Sequence, residues 1–401
     1  MARPSLNLSL RNILRRFPLL KGALQYGRDL FRKALGATLC RLHFRNPFLG
    51  IPRGFYSGAE LVRSGFYEGK IILPAQPCPV FTDDSLVKKC GLGQDGFQPW
   101  PVFCMRIPDA FLTGRSLVPR DPHGHLLAEA TFSQVGDTSD PAFQHFSLGR
   151  GEFIQGNATS IVSRWGGDAR GNKRYGGAGY WHWLFDSVAR LSLLEALPSD
   201  TKVITPPLAP WMRWFLERLD LGGRLLETQA TALRVENFYF SSPSSMTGCW
   251  NPYAVNFLRR SFLPFGSPSS DSLPKRFYIL REGYTRKIAN EWEVREFFTT
   301  LGWSLIAPEK LSIPDQIALF RDAEAIAGLH GSALTNLLWC SPGARVLEFV
   351  PENFMAGAFE WLAHINKLTH FFQLCQIDRR GDAVVSIRNL KYSLSDEYLI
   401  F

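Results

Sequence analysis

The chain of 401 residues lacks several features that would assign its class at once. No apolar run approaches the ~18 residues that a membrane-spanning helix needs. The basic N-terminus has no apolar stretch followed by a small-residue cleavage site, so we expect neither a membrane anchor nor a signal peptide. The seven cysteines form no Cys-x-x-Cys pair, which favours thiols in a reducing compartment over a disulfide framework or zinc site. No Gly-x-Gly-x-x-Gly motif follows a predicted strand, which disfavours a nicotinamide-dependent oxidoreductase.

Motifs typical of metal binding are also missing. No Asp-x-Asp pair stands at a strand end in the C-terminal half, and Asp83 and Asp84 lie in a segment without a clear pattern. His123 and His125 flank a glycine directly after Pro122, a sequence that predicts a turn. We therefore predict no metal site and no resident cofactor.

Positive charge is concentrated at the N-terminus. Residues 1–45 contain ten Lys or Arg and a single acid, Asp29, and so carry the whole net charge of +9. Apolar residues recur there at helical spacing, which predicts a basic amphipathic helix. Such a segment lies on an anionic membrane surface, packs on its own domain or forms a frayed tail. Nucleic acid is not an expected partner, because the rest of the chain has no net positive charge.

The apolar pattern divides the remaining chain into four segments. Residues 46–150, rich in Pro, Gly and Phe, predict an irregular, β-containing lead-in. Strands and helices alternate through an N-terminal half, 151–264, and again through a C-terminal half, 275–401. A Pro/Ser/Gly-rich linker, 265–274, separates the two halves. This alternation predicts an α/β fold with parallel sheets, helices on their faces and a cleft between the halves.

The predicted elements follow from these periodicities. Helices are expected at 178–197, 210–219, 290–301 and 333–339, and strands at 202–205, 235–240, 276–280, 303–307, 325–329 and 346–350. Asn290 and Ser312 are suitable N-caps for the helices that follow them.

The helix predicted at 178–197 carries a candidate acid–base pair. His182 and Asp186 are four residues apart and share a face other than the apolar stripe. An imidazole supported by a carboxylate can remove a proton from a hydroxyl group. The alternative is an i,i+4 pair that satisfies itself at a domain surface.

Basic and small residues follow two strands of the C-terminal half. Arg281 ends one predicted strand and Arg286 lies in the loop beyond it, where arginines suit contacts to phosphate. His330, Gly331 and Ser332 connect the 325–329 strand to a helix within a βαβ unit. Such a helix start offers unpaired N–H groups to an anion. The sequence therefore predicts a phosphate site, although an exposed basic loop would also explain the arginines.

Glu348 is an acid inside an otherwise apolar predicted strand, 346–350. A buried acid needs a partner, so we consider a role at a ribose or sugar hydroxyl. An edge position that faces solvent is the alternative.

Two blocks of sequence, Gly179-Tyr-Trp-His-Trp-Leu-Phe-Asp186 and residues 328–349, which include His-Gly-Ser-Ala-Leu-Thr-Asn, closely resemble glycosyltransferase family 61. The segment between them, with its two arginines, is also similar, and the likeness covers roughly residues 150–360. Ser332 stands where family members often have alanine. The residues that fall on the family pattern are His182, Asp186, Arg281, Arg286, His330, Gly331, Leu334, Asn336 and Glu348.

The resemblance implies a GT-B-like architecture of two Rossmann-like domains facing across a cleft, here with an N-terminal extension. It implies inverting, metal-independent transfer from a nucleotide sugar to a glycan or lipid-linked glycan, as in capsule or lipopolysaccharide synthesis. The expected location is cytoplasmic, peripheral on the inner membrane.

In that account His182 or Asp186 is the base. The residues expected at the donor nucleotide and its phosphates are Arg281, Arg286, His330, Gly331, Ser332, Asn336 and Glu348. A polysaccharide pyruvyltransferase on a similar scaffold and a non-catalytic glycan-assembly protein are the rival interpretations.

Overall fold

The computed structural model describes residues 54–74, 101–114, 116–131, 151–163, 179–243, 245–246, 249–268, 273–281, 286–353 and 357–393. The predicted basic segment 1–45 and Asp83 and Asp84 lie outside these residues.

The strands are β1 Gly54–Tyr56, β2 Gly69–Leu73, β3 Val102–Thr113, β4 Val118–Arg120, β5 His125–Leu127, β6 Glu152–Ser160, β7 Lys202–Thr205, β8 Leu225–Glu227, β9 Ala232–Ser241, β10 Ser245–Met246, β11 Cys249–Trp250, β12 Arg276–Ile279, β13 Ser304–Ile306, β14 Ala325–Leu329, β15 Arg345–Pro351, β16 Thr369–Ile377 and β17 Ala383–Val384.

Helices of three kinds accompany these strands. The α-helices are α1 Gly58–Arg63, α2 Ala128–Thr131, α3 Tyr180–His182, α4 Pro210–Glu217, α5 Pro252–Phe262, α6 Glu291–Thr300, α7 Ile313–Arg321, α8 Ala358–Ile365 and α9 Ile387–Ser393. A π-helix spans Trp183–Ser187, and 3₁₀ helices span Val188–Ala196, Gly222–Arg224, Leu263–Phe265, Pro308–Lys310 and Ser332–Trp339.

The C-terminal half forms a six-stranded sheet in the order β13-β12-β14-β15-β16-β17. Its strands are parallel except for the β16–β17 pair at the edge. Helix α7 begins as expected, because the Ser312 side chain accepts a hydrogen bond from the Asp315 N–H. The predicted βαβ unit is present as β14, the 3₁₀ helix Ser332–Trp339 and β15.

Asn290 precedes α6 but does not cap it with its side chain. Its amide nitrogen instead donates to Val385 O, and its Oδ1 accepts from the Val385 N–H. This prediction of a capping side chain was wrong, because Asn290 pairs with a distant segment of backbone that needs both a donor and an acceptor.

The lead-in and the N-terminal half share one nine-stranded sheet. Strands β6 to β9 pair in parallel, as predicted. Strand β3 of the lead-in runs antiparallel to β9, however, and it forms an antiparallel hairpin with β4. The sheet is therefore mixed, because a short hairpin connection requires antiparallel strands. The His123–His125 region forms the predicted turn, in which Asp121 accepts from the His125 N–H.

The two helices that carry the sequence motifs are not regular α-helices. The 178–197 segment changes from α to π to 3₁₀ along its length, whereas we predicted one continuous helix. The segment that follows Gly331 is a 3₁₀ helix of 8 residues. Its three residues per turn bring Asn336 and Trp339 onto one face, where the Trp339 Nε1–H donates to Asn336 Oδ1 at 3.0 Å. Periodicity alone does not distinguish these helix types at such lengths.

One apolar core lies between the two sheets and draws on both halves of the chain. It includes Phe185 and Phe215 from the N-terminal half and Phe277 and Trp339 from the C-terminal half. The ring of Phe262 contacts both Phe215 and Trp339. The α/β class is thus confirmed as a mixed α/β structure with two sheets, and the GT-B arrangement stays a prediction.

A hydrogen-bonded polar group crosses this core. The Tyr180 hydroxyl donates to Asn336 Oδ1 at 3.0 Å and accepts from the Trp339 Nε1–H at 3.2 Å. The Asn336 amide in turn donates to Gln316 Oε1 at 3.0 Å. We call Tyr180, Asn336, Trp339 and Gln316 the bridging network, because it joins the start of the His182 helix to the C-terminal half.

Within the described residues, no helix combines the length and apolar character that a membrane span requires.

We predict that Tyr180→Phe lowers the free energy of unfolding by about 1 kcal/mol, because it removes two buried hydrogen bonds and leaves Asn336 Oδ1 and Trp339 Nε1 bonded only to each other. Chemical denaturation measures the change. Tyr239→Phe is the matched control, since Tyr239 is half-buried in β9 and lies outside the network, and we expect less than about 0.5 kcal/mol there. Equal effects of the two substitutions would contradict the importance of the bridging network.

Candidate functional site

Candidate residues gather where three parallel strands of the C-terminal sheet end. Arg281 follows β12, His330 directly follows β14, and Glu348 lies in β15 level with Gly328. In open α/β sheets, ligands bind in the crevice outside the carboxyl ends of the strands. The structure therefore brings together three side chains that the sequence analysis expected at the donor nucleotide and its phosphates.

Glu348 is buried between two histidines. One carboxylate oxygen accepts a short hydrogen bond from His330 Nδ1, and the other accepts from His370 Nε2 at 2.9 Å. The three side chains are 6%, 3% and 7% exposed for His330, Glu348 and His370. Glu348 is therefore not at a solvent-facing edge, and both of its oxygens contact imidazoles; its role at a ribose or sugar hydroxyl stays a prediction.

The charge state of Glu348 follows from opposing effects. Burial alone would raise its pKa, but the charge of His330 and the hydrogen bonds from His330 and His370 outweigh burial and lower the pKa to about 2. The carboxylate is thus ionised and can only accept hydrogen bonds.

Arg286 places a positive charge near the Glu348 carboxylate. Burial lowers the pKa of its guanidinium, and the negative charge of Glu348 acts in the opposite direction. Arg286 therefore lies within the electrostatic field of Glu348 and is not an exposed loop cation.

The Arg281 guanidinium lies directly against the backbone of Gly331. Its Nη1 donates to the His330 carbonyl at 2.7 Å. A Cβ atom on residue 331 would lie 2.2 Å from that nitrogen. The Gly331 backbone is extended, with φ 166°, so the glycine is required by close approach of the guanidinium and not by backbone strain. Ser332 is half-buried at the first position of the 3₁₀ helix that follows.

The second part of the site is the His182 helix. His182 Nδ1 lies 2.7 Å from Asp186 Oδ2, and their side chains are 28% and 1% exposed. Asp186 falls in the π-helical turn Trp183–Ser187. Single π turns inside helices are frequent at functional sites.

Further buried polar groups belong to the same helical segment as His182 and Asp186. Within the described part of the chain, Asp186 Oδ1, Trp183 Nε1 and two nitrogens of Arg190 have no hydrogen-bond partner. Burial lowers the pKa of Arg190 to about 10, and the charge of Asp186 opposes the shift. Unsatisfied buried groups are uncommon and often mark a functional region.

Side-chain packing connects the two parts of the site. The Phe359 ring lies 4.9 Å from the Trp181 ring and 5.0 Å from the His330 ring, centre to centre. One aromatic side chain of α8 therefore touches both the residue before His182 and the histidine after β14.

Asn336 occupies a different place from the one predicted. It is 1% exposed, and its amide and carbonyl groups are bonded to Tyr180, Trp339, Gln316 and Ala333 O. We predicted a contact with the donor, but the side chain serves the bridging network. Its polar atoms are engaged with protein because the 3₁₀ helix turns it inward.

Two residues near the site were missing from the sequence interpretation. His370 is brought to Glu348 by the β15–β16 pairing, and β16 carries no recognisable motif. Arg190 follows Asp186 by four residues, so the His182–Asp186–Arg190 spacing could have suggested it.

In the described part of the chain, no group of three or more His, Cys, Asp or Glu residues is arranged to hold a metal ion. Cys104, Cys340 and Cys375 are buried thiols.

The low pKa of Glu348 predicts how stability depends on pH. Its ordinary pKa is about 4.5 and its folded pKa is about 2, so its contribution is present above pH 4.5 and is lost as the pH falls toward 2. The full loss, reached only below pH 2, should be on the order of 3 kcal/mol, of which about 2 kcal/mol falls between pH 5.5 and pH 3. Denaturation at pH 5.5 and pH 3 should show a larger decrease in the native protein than in Glu348→Gln. The same decrease in both would show that Glu348 is not the responsible group.

Comparison with known protein families and proteins identifies two similarities. Residues 180–347 match the family model Glycosyltransferase 61, a span that begins beside His182 and contains Arg281, Arg286 and His330. A curated β-1,2-xylosyltransferase (XAX1) of Oryza sativa subsp. japonica is 33% identical over 91 residues, which are 22% of this chain and 15% of the rice protein. The chain therefore matches only about 15% of the length of this relative. The two similarities support the assignment of this region to glycosyltransferase family 61.

Proposed function

We propose that this protein is an inverting glycosyltransferase that moves a sugar from a nucleotide-sugar donor to a glycan or lipid-linked glycan. The main observation behind this proposal is that Phe359 packs against both Trp181 and His330. This ring therefore joins the residue before the potential base to the histidine that follows β14. The family similarity over residues 180–347 supports the same chemistry.

In this proposal His182 is the base. Asp186 is fully buried, so an acceptor hydroxyl would not reach it without a rearrangement, whereas the His182 side chain is 28% exposed. Since Nδ1 of His182 is engaged with Asp186 Oδ2, proton transfer would use Nε2. Asp186 then fixes the orientation of the ring and stabilises the imidazolium that forms.

The reaction is a single displacement at the anomeric carbon. The acceptor oxygen forms a bond to that carbon and gives its proton to His182. The bond from the carbon to the diphosphate oxygen breaks on the opposite face, and its electron pair leaves with the nucleotide.

Arg281, Arg286 and His330 form the proposed cradle for the departing diphosphate. Preorganised donors aimed at developing charge are usually the largest contribution to catalysis. Arg281 suits this role because its guanidinium donates a hydrogen bond to the His330 carbonyl and fits into the volume that Gly331, which has no side chain, leaves open. Metal independence remains part of the proposal.

The acceptor class and the role in surface polysaccharide synthesis at the inner membrane are also proposals, and they rest on the family resemblance. The rice relative is named a xylosyltransferase, so both pentoses and hexoses belong in the donor screen. Purified protein should consume one nucleotide sugar in the presence of a glycan acceptor. Consumption of phosphoenolpyruvate would favour a pyruvyltransferase instead, and failure to bind any nucleotide would favour a non-catalytic protein.

We predict that His182→Ala lowers kcat by about 10²–10⁴-fold, because the acceptor proton loses its base. The affinity for the nucleoside diphosphate, measured by calorimetry, should stay within about threefold. Asp186→Asn should lower kcat less than His182→Ala does. If His182→Ala retained full turnover while Asp186→Asn abolished it, Asp186 would be the base.

We predict that Gly331→Ala lowers kcat by about 10²-fold, because the new methyl group displaces the Arg281 guanidinium. The displaced atoms are the end of a flexible side chain, so the free energy of unfolding should change by less than about 1 kcal/mol.

The control is a double-variant cycle with Arg281→Ala, which should itself lower donor turnover by about 10²–10³-fold and leave the fold intact. In that background Gly331→Ala should add little further loss, because the two substitutions remove the same interaction. Fully additive losses would contradict the coupling, and full activity of Arg281→Ala would remove Arg281 from the site.

A further inference from the structure

Three ionisable side chains form a buried row across adjacent strands, and the proposed function uses only one of them. His330 follows β14, Glu348 lies in β15 and His370 lies in β16. The strands are parallel neighbours in the order β14-β15-β16. Glu348 is therefore the middle member of the row and joins the two histidines.

The contacts of the row determine where its protons lie. The ionised Glu348 only accepts hydrogen bonds, so His330 Nδ1 and His370 Nε2 must both carry hydrogen. Each carboxylate oxygen serves one imidazole. A rotation of the carboxylate or of either ring would break a bond that is buried away from water.

We propose that His370 and Glu348 are positioning residues that hold His330 by Nδ1, so that its imidazolium form donates to the donor diphosphate through Nε2–H. The identity of the ligand rests on the proposed function. His370 fixes Oε2 of Glu348, Glu348 fixes the His330 ring, and the ring is ready before the nucleotide arrives. Preorganisation of this kind avoids reorganisation during the reaction.

The charges around the row fit an anionic ligand. The groups that face Glu348 are His330, His370 and Arg286, and Arg281 lies beside the His330 carbonyl. One carboxylate thus stands among two guanidinium groups and two imidazoles. The two guanidinium groups outnumber the single carboxylate, so the cluster keeps a net positive charge for the diphosphate.

A purely structural role for His370 makes different predictions from a positioning role. His370→Gln keeps an N–H donor that can reach Glu348, whereas His370→Leu removes it. We expect His370→Leu to weaken binding of a nucleoside diphosphate by about tenfold and to lower kcat by a similar factor. His370→Gln should stay within about threefold of the native protein. Calorimetry and steady-state kinetics provide the two measurements.

His364→Gln is the matched control, because His364 is an exposed histidine of α8 that stacks on Trp361. It should bind the nucleotide as the native protein does. Native affinity and kcat in His370→Leu would overturn the proposal. Equal losses in His370→Gln and His370→Leu, accompanied by equal losses of stability, would also overturn it in favour of a structural role.

Nitrogen NMR of the full-length protein labelled at its eight histidines tests the proton positions without any activity. We expect hydrogen on His330 Nδ1 in the native protein and exchange between ring states in His370→Leu. A native His330 with no hydrogen on Nδ1 would overturn the proposal. If the native protein binds no nucleoside diphosphate, the proposed function fails and the ligand part of this inference falls with it, while the NMR result still decides whether Glu348 and His370 position the ring.

Discussion

The Tyr180 hydroxyl is the contact on which the arrangement of the candidate site depends. It lies two residues before His182 and bonds to both Asn336 and Trp339 of the C-terminal half. Apolar packing alone would bring the halves together, but it is not directional. Hydrogen bonds inside such a core select one alignment, because every other alignment leaves buried polar groups unsatisfied. The start of the helix that carries the potential base is therefore fixed to the C-terminal half by a group that need not touch a substrate.

Each charged side chain of the candidate site interacts with a neighbouring group that fixes its position or charge. Arg281 is held by a backbone carbonyl and Arg286 by the field of Glu348. Glu348 is the acid that the two histidines share. A carboxylate among cations reduces their mutual repulsion, whereas additional carboxylates would weaken the attraction for phosphate. One buried acid among several cations satisfies both conditions.

Much of the C-terminal sheet was predictable, because buried parallel strands are short apolar runs between helix signals. Strands β12 and β14 and the Ser312 cap needed only local sequence, as did β7 of the first sheet. The mixed first sheet was not predictable, since the pairing of β3 with β9 depends on contacts far apart in the chain. The same limit applies to the site. His182 and Asp186 were found from their spacing, and His330 from its turn. His370 and the inward-facing Asn336 emerge only from strand register and helix type.

The contact between Gly331 and Arg281 has a consequence for how this site can vary. The volume that glycine leaves empty is the volume that the guanidinium fills, so positions 281 and 331 form one steric unit across 50 residues of chain. Related chains that carry a side chain at position 331 should have a shorter or differently directed residue at position 281. Redesign of the pocket would likewise need to exchange the two positions together, because either change alone leaves a clash or a cavity at the crevice.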